Sequence, residues 1–281
     1  MKGAAVAVAL VASITLVRAQ TQASTAASAG QAFDVASIKQ NKSGENGGRF
    51  GGPPTRWTAT NVPALQFILF AYQTQDFLIE GVPDWVKTDR WDINAKSDRD
   101  FPPAAIGAPD ARRDMLRALL VERFKLVAHK ESRDRPIYAL VVAQPDKPPA
   151  PRLHRSTVDC VALLVQLRRG SANAPPPPNA LDGVPECSIT LPPGRLTLGT
   201  QPMTELAAVL SQIVQRRVVD RTGLTGNFSA LVTYAPENST PDPNAPSIFT
   251  ALQEQLGLKL ESTRGPVEML VIDRIERPTE D

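Results

Sequence analysis

Two close pairs of acids, Asp89 with Asp92 and Asp98 with Asp100, are the residues best spaced for chemistry, because paired carboxylates can divide general acid and general base roles in hydrolysis. All four fall where the chain reads as turn or strand end, positions at which Asp commonly bonds nearby backbone, so solvated turn acids are the stronger expectation. The histidines are His129, beside Lys130 and Glu131 on a strand, and His154, in a Pro-rich stretch. For both, an exposed strand or loop residue is expected rather than a base or a metal ligand. The sequence has no Gly-x-Ser-x-Gly elbow, His-Glu-x-x-His helix or Ser-x-x-Lys set. No residue is therefore assigned to catalysis, to a cofactor or to a metal.

Cys160 and Cys187 are the whole cysteine inventory, and both lie in one irregular region. A disulfide between them is expected of an exported protein; a metal site lacks ligands, since only His154 lies nearby and zinc prefers four. Trp57, Trp85 and Trp91 are all in the first half of the chain. They are either a possible contact surface, since Trp is enriched at recognition sites, or that half's core, which their strand positions favour. The glycine-rich stretch from Asn41 to Pro54 has no Lys-Ser/Thr pair or helix start after it, so it reads as a turn and not as a phosphate cradle.

Residues 1–19 combine Lys2, an apolar run from Ala4 to Val17 and a small-residue exit at Ala19, which reads as an export signal; residues 20–31 read as a flexible leader. No later stretch is long enough to span a membrane. The chain carries 31 Lys and Arg against 29 Asp and Glu, and loss of Lys2 and Arg18 with the signal leaves a formally neutral protein. Without a basic footprint, nucleic acid is not an expected partner.

The elements that position these residues repeat. Arg56 to Thr60 reads as a strand, Asn61 as a possible helix cap and Pro63 as a helix opener, with Leu65, Ile68, Leu69 and Tyr72 on one stripe. Arg195 and Pro202 have the same seven-residue spacing as Arg56 and Pro63, and Leu206, Val209, Leu210 and Ile213 repeat the stripe. Each half then reads as short strands, a second helix and a closing hairpin: RFKLVAHKE with PIYALVVA, turning at Ser132 to Arg135, and LKLES with VEMLVID. The fold class expected is α+β, a tandem duplication of a strand-helix-strand-strand-helix-hairpin unit, with helices packed on small sheets. Its parts are a first copy at 32–143, a Pro-rich linker at 144–193 that holds the cysteine pair and a short helix near Val158 to Arg168, and a second copy at 194–281. Whether the copies pack as one unit or two stays open.

The segments FDVASIK, RWTATNVPALQFILFAY, GVPDW, RWDINAK, MLRALLVERFKLVAHKE, YALVVA, RVVDRTGLTGNF, ALQEQLGLKLE and PVEMLVIDRIERP together resemble the soil-associated family of exported bacterial proteins built on a domain of unknown function. That resemblance implies an exported protein with no established activity. Each half, above all Leu196 to Ile275, is also similar to the short N-terminal domain of secretins and TonB-dependent receptors through Pro202, Leu206, Val218-Val219, Gly226, Ala251-Leu252 and Leu256-Gly257-Leu258. Those domains are protein-contact or signalling modules. The expectation is a periplasmic or extracellular protein without a cofactor, non-enzymatic, binding an envelope protein or an extracellular ligand; the alternative is an exported hydrolase that uses carboxylates.

Overall fold

In the computed structural model the last strand of each half runs uninterrupted, and the two strands pair with each other. The structure describes residues 32–45, 47–52, 55–97, 111–146, 150, 152–160, 162–163, 179–181, 184–236 and 245–281. The export signal, the leader, Asp98, Asp100 and most of the helix expected near Val158 to Arg168 lie outside these residues.

The first half runs β1 (Val35–Asn41), β2 (Arg49–Gly51), β3 (Arg56–Pro63), α1 (Ala64–Tyr72), a 3-10 turn (Asp76–Leu78), β4 (Ile79–Glu80), α2 (Asp84–Thr88), β5 (Arg90–Lys96), α3 (Ala111–Arg123) and β6 (Val127–Val142). There follow β7 (Leu153–Ser156), β8 (Asn179–Leu181), β9 (Val184–Pro185) and β10 (Ile189–Thr190). The second half runs β11 (Arg195–Pro202), α4 (Met203–Ile213), β12 (Val218–Asp220), β13 (Asn227–Thr233), α5 (Ile248–Ala251) with a π-helical turn (Leu252–Leu256), and β14 (Leu258–Arg274). The architecture is α+β. Its larger sheets have the orders β1-β5-β3-β2, β10-β11-β13-β7 and β12-β6-β14-β4, and β8 pairs with β9.

The expected closing hairpins are corrected to two long strands. β6 and β14 pair antiparallel without interruption from Leu258 opposite Val142 to Ile272 opposite Ala128. The segment Ser132 to Arg135 does not turn: it has no glycine, and it stays extended against a strand of complementary charge. Arg264 Nε donates to Asp134 Oδ2 at 2.8 Å, and Lys130 Nζ to Glu268 Oε1 at 2.7 Å. Gly265, which looks like a turn residue in sequence, serves instead for clearance, because a Cβ there would lie 2.9 Å from Ile137 Cδ1.

This pairing exchanges strands between the halves. The core of the first half gathers Trp57, Phe67, Leu116, Leu120 and Phe124, and is completed by Leu270 and Ile272 from the end of the chain. The core of the second half gathers Leu196, Leu206, Leu210 and Leu252 on Leu258, and is completed by Leu140 from β6. The short strands follow suit, β4 pairing in parallel with β14 and β12 with β6. Beyond β14 the tail returns to the first half, where Glu276 N donates to Phe124 O at 2.7 Å and Arg123 pairs with Asp281 at 2.7 Å.

Both helix-opening prolines sit at the N-cap, Pro63 of α1 and Pro202 of α4. Asn61 is not the cap. It is the bulge residue of β3, at φ 57°, and Thr200 holds the same place in β11 at φ 52°. Each bulge leaves one buried N–H off the ladder, and a side chain of the neighbouring strand accepts it: Asp92 Oδ1 takes Asn61 N at 2.8 Å and Ser229 Oγ takes Thr200 N at 3.1 Å. Further on, Ser211 Oγ donates to Ala207 O and accepts from Val218 N, both at 2.8 Å, which ties α4 to β12. As the sequence implies, α5 is capped by Ser247, whose side chain accepts from Thr250 N, and its π turn ends at the left-handed Gly257.

Leu140 and Leu270 are 0 % and 3 % exposed, one in each core and each supplied by the other half. Leu140→Ala and Leu270→Ala are expected to cost about 2–5 kcal/mol each in denaturant unfolding. Thermal unfolding of each variant is expected to remain one transition. Two resolved transitions would contradict the shared ribbon.

Candidate functional site

Asp89 and Asp92 do not form a site, and Asp98 and Asp100 lie outside the described residues. Asp92 is occupied by the β3 bulge and by Asn41, whose Nδ2 donates to it at 2.9 Å. Asp89 accepts from Arg277 Nε at 2.8 Å, and the same guanidinium lies 5.1 Å over the Trp85 ring. His129 Nδ1 is 2.8 Å from Asp273 Oδ2 on an open strand, and His154 is exposed on β7 opposite Ser229. Among the described residues, no group of three His, Cys, Asp or Glu is placed to hold a metal ion.

Of the two readings of the tryptophans, the core holds for Trp57 and Trp91. Trp57 and Trp91 are each 2 % exposed, wedged edge-to-face against Phe67 and Phe124, while Trp85 is half-buried in α2. Alternation on β3 and β5 turns Trp57 and Trp91 into the core.

Cys160 and Cys187 are joined in a disulfide with Cα atoms 5.4 Å apart. It fastens the strap at 184–190 over the second bulge and brings in a group that sequence reasoning missed. Glu186, beside Cys187, accepts from the Thr200 hydroxyl and is also bonded by Ser229; Thr200 Oγ1 lies 2.8 Å from Ser156 Oγ. Burial pushes the Glu186 carboxyl above its ordinary range, against the opposing pull of Ser229. A raised carboxyl beside serine and threonine hydroxyls has the makings of chemistry. Its partners, however, are those of the strand bulge: Ser229 takes the bulge N–H as Asp92 does in the first half, and Glu186 holds the hydroxyl of the bulge residue Thr200. The matching offsets, Asn61 two residues before Pro63 and Thr200 two before Pro202, were the available signal.

Unspent polar groups gather elsewhere, in a cleft of about 430 Å³ between the end of α1 and the central ribbon. Tyr72, Gln73 and Thr74 form one wall, where α1 ends because Gln73 takes the left-handed conformation at φ 51°. Pro266, Glu268 and Leu270 of β14 form the floor with Lys130 of β6, and Arg217 closes the far side. Gln75 Nε2, donating to Ala208 O at 3.1 Å, spans from the first half to α4 just beyond. The Tyr72 phenol is pushed up by burial, partly offset by Arg117, so it stays a proton donor. Lys130 and Glu268 satisfy each other, and Arg216 stacks over the Tyr138 ring at 4.6 Å. Arg217 is exposed and has no acid partner among the described residues.

A second concavity, of about 480 Å³, lies at the other end of the ribbon. It is apolar, walled by Val141, Val142, Leu153, Leu224, Leu256 and Leu258, with Arg221 at its rim. The junction cleft is the better candidate, because it gathers several polar donors beside the apolar side chains of Leu78, Pro266 and Leu270, the composition of a small-molecule or chain-end site. Among the described residues, no helix is long and apolar enough to cross a membrane.

A family model described as a protein of unknown function (DUF3738) matches residues 65–275. No curated protein and no solved structure matches the chain.

Two outcomes follow from the strap. Opening the disulfide, by Cys160→Ser or by reductant, is expected to lower unfolding stability by about 3–4 kcal/mol on the chain-entropy model, and intact-mass analysis of the unreduced protein is expected to find no free thiol. Because the folded Glu186 carboxyl holds its proton more tightly than the unfolded one, the wild type loses stability as pH rises through and above the ordinary carboxyl range. Glu186→Gln lacks this loss. Its stability relative to wild type is expected to improve between pH 4 and pH 7, as read by denaturant unfolding; no pH dependence of the difference would mean the carboxyl is not desolvated.

Proposed function

The chain belongs to the DUF3738 family of proteins of unknown function, and from that premise we propose that it is an exported, non-enzymatic binding module acting by contact at the cell envelope. One observation carries the reading. Among the described residues, Asp92 holds the β3 bulge, Asp89 pairs with Arg277 and Glu186 accepts from the Thr200 hydroxyl, whereas the donors Tyr72, Gln73, Thr74 and Arg217 line one cleft. Groups that only need to be met by a ligand are left free, and groups that would need an altered pKa to react are consumed by the fold.

Export rests on the character of residues 1–19 and is supported by the Cys160–Cys187 disulfide, a bond that persists in oxidising compartments. The resemblance to the soil-associated exported proteins and to the short N-terminal domain of secretins and TonB-dependent receptors favours a contact role over a reaction. We read the halves as copies of one unit, on the matched positions Arg56, Asn61 and Pro63 against Arg195, Thr200 and Pro202.

The test is capture from envelope extract with the mature protein, run beside Thr74→Trp, which fills the cleft with bulk and leaves both cores intact. A partner held by the wild type and lost by the variant is the expected result. Equal capture by both would place binding away from the cleft, and no specific capture together with turnover of an added substrate would overturn the module reading.

A further inference from the structure

Resting on the binding reading above, we infer that the junction cleft takes a monoanionic carboxylate, with Arg217 as its counter-ion and a short aliphatic or neutral polar body lying over Leu270 and Pro266. The charge count at the cleft selects the ligand's charge. Lys130 and Glu268 face each other across the ribbon at 2.7 Å and cancel, which leaves the Arg217 guanidinium as the net charge of the site. Its backbone is held, since Arg217 O accepts Tyr138 N at 2.8 Å, so the fork projects from a fixed root beside β12. A planar guanidinium matches a carboxylate through two parallel N–H bonds.

The surroundings narrow the class further. Tyr72 and Thr74 supply neutral hydroxyls and Gln73 a carboxamide, none of which is bonded to another side chain among the described residues. They suit the second carboxylate oxygen or an amide or hydroxyl next to it. A dianionic phosphate is disfavoured, because with Lys130 and Glu268 paired the single net charge of Arg217 balances only one negative charge. The apolar portion of the floor, Leu78 with Leu270 and Pro266, favours a ligand with a carbon body over a bare inorganic anion.

The arrangement is specific to one side of the ribbon. Pro136 and Pro266 occupy matching places on β6 and β14, and two residues beyond them stand Tyr138 and Glu268. On the second-half side Tyr138 packs against Phe249 at 5.5 Å and under Arg216, which occupies the space with aromatic side chains. On the first-half side Glu268 is drawn to Lys130 and the cleft stays open.

Two sources share this chemistry, the free C-terminus of a peptide and a small acid such as a uronic acid, and the experiment separates them. N-acetyl-alanyl-alanine, its C-terminal amide, galacturonic acid and inorganic phosphate are titrated into the mature protein at low salt, with binding followed by calorimetry and by NMR shifts. Expected is saturable binding of at least one of the two carboxylates, with the amide at least about tenfold weaker and phosphate not displacing the acid at equal concentration. Arg217→Met is expected to weaken acid binding by about tenfold or more, the size of a lost charged hydrogen bond, while Arg221→Met at the apolar groove leaves it unchanged. Arg217 is exposed, so circular dichroism of its variant should match wild type. Amide binding equal to acid, an unchanged Arg217→Met, displacement by phosphate, or no binding of either acid would overturn the inference. If a captured envelope partner is nevertheless lost with Thr74→Trp and kept by Arg217→Met, the binding module stands and only the carboxylate fails.

Discussion

The antiparallel pairing of β6 with β14 is the constraint on which the rest of the molecule depends. Each strand is too long for one half to cover, so its two ends serve different cores: Ala128 and Ile272 face the first, Leu140 and Leu258 the second. Neither core closes until a strand from the other half arrives. The register that sets this is specified by side chains, because a slip by one residue would turn Leu140 and Leu270 out of the cores that they complete. Charged pairs along the middle of the ribbon are too exposed to contribute much stability individually, and their use is to make the extended path better matched than a turn.

Polar chemistry in this protein is largely committed to backbone irregularity. A left-handed residue in a strand costs strain and leaves an N–H off the ladder, and both β3 and β11 carry one just before a helix. Asp92 and Ser229 accept those N–H groups, with Asn41, Ser156 and Glu186 gathered around them. The bulges redirect each strand into its proline-opened helix, so Asp92, which looks catalytic in sequence, is part of what positions α1. The same geometry ends α1 at Gln73, and it is this early end that leaves a gap against the ribbon for Tyr72 and Thr74 to line.

Much of this was legible along the chain. Pro63 and Pro202 announced helices because proline prefers their first positions, and Ser247 and Gly257 bracketed α5 because one side chain can accept the first-turn N–H and only glycine takes a left-handed end without strain. The apolar stripe of α4 marked a buried face, whereas that of α1 was displaced, since α1 buries Ala64, Phe67, Ile68 and Ala71 and leaves Leu65, Leu69 and Tyr72 half-buried; the strand alternation around Trp57 and Trp91 pointed to the core positions they hold. Asn61 was misread as a cap because a bulge and an N-cap share the same residue preferences, and only the pairing partner tells them apart. Glu186 passed unnoticed because its neighbours Ser156, Thr200 and Ser229 are scattered over three segments.

The sequence by itself determined most of the local elements, the α+β class and the cysteine pair, all of which rest on interactions within a few residues or on a choice among very few partners. Only the tertiary structure decided that the closing segments are single strands exchanged between the halves. Ser132 to Arg135 and Thr263 to Pro266 are compatible with a turn or with extended backbone, and the choice comes from long-range pairing that neither segment contains. The cleft is decided at the same level. Arg217, Lys130 and Tyr72 lie far apart in sequence, and they become one site because β6 and β14 run past each other instead of folding back.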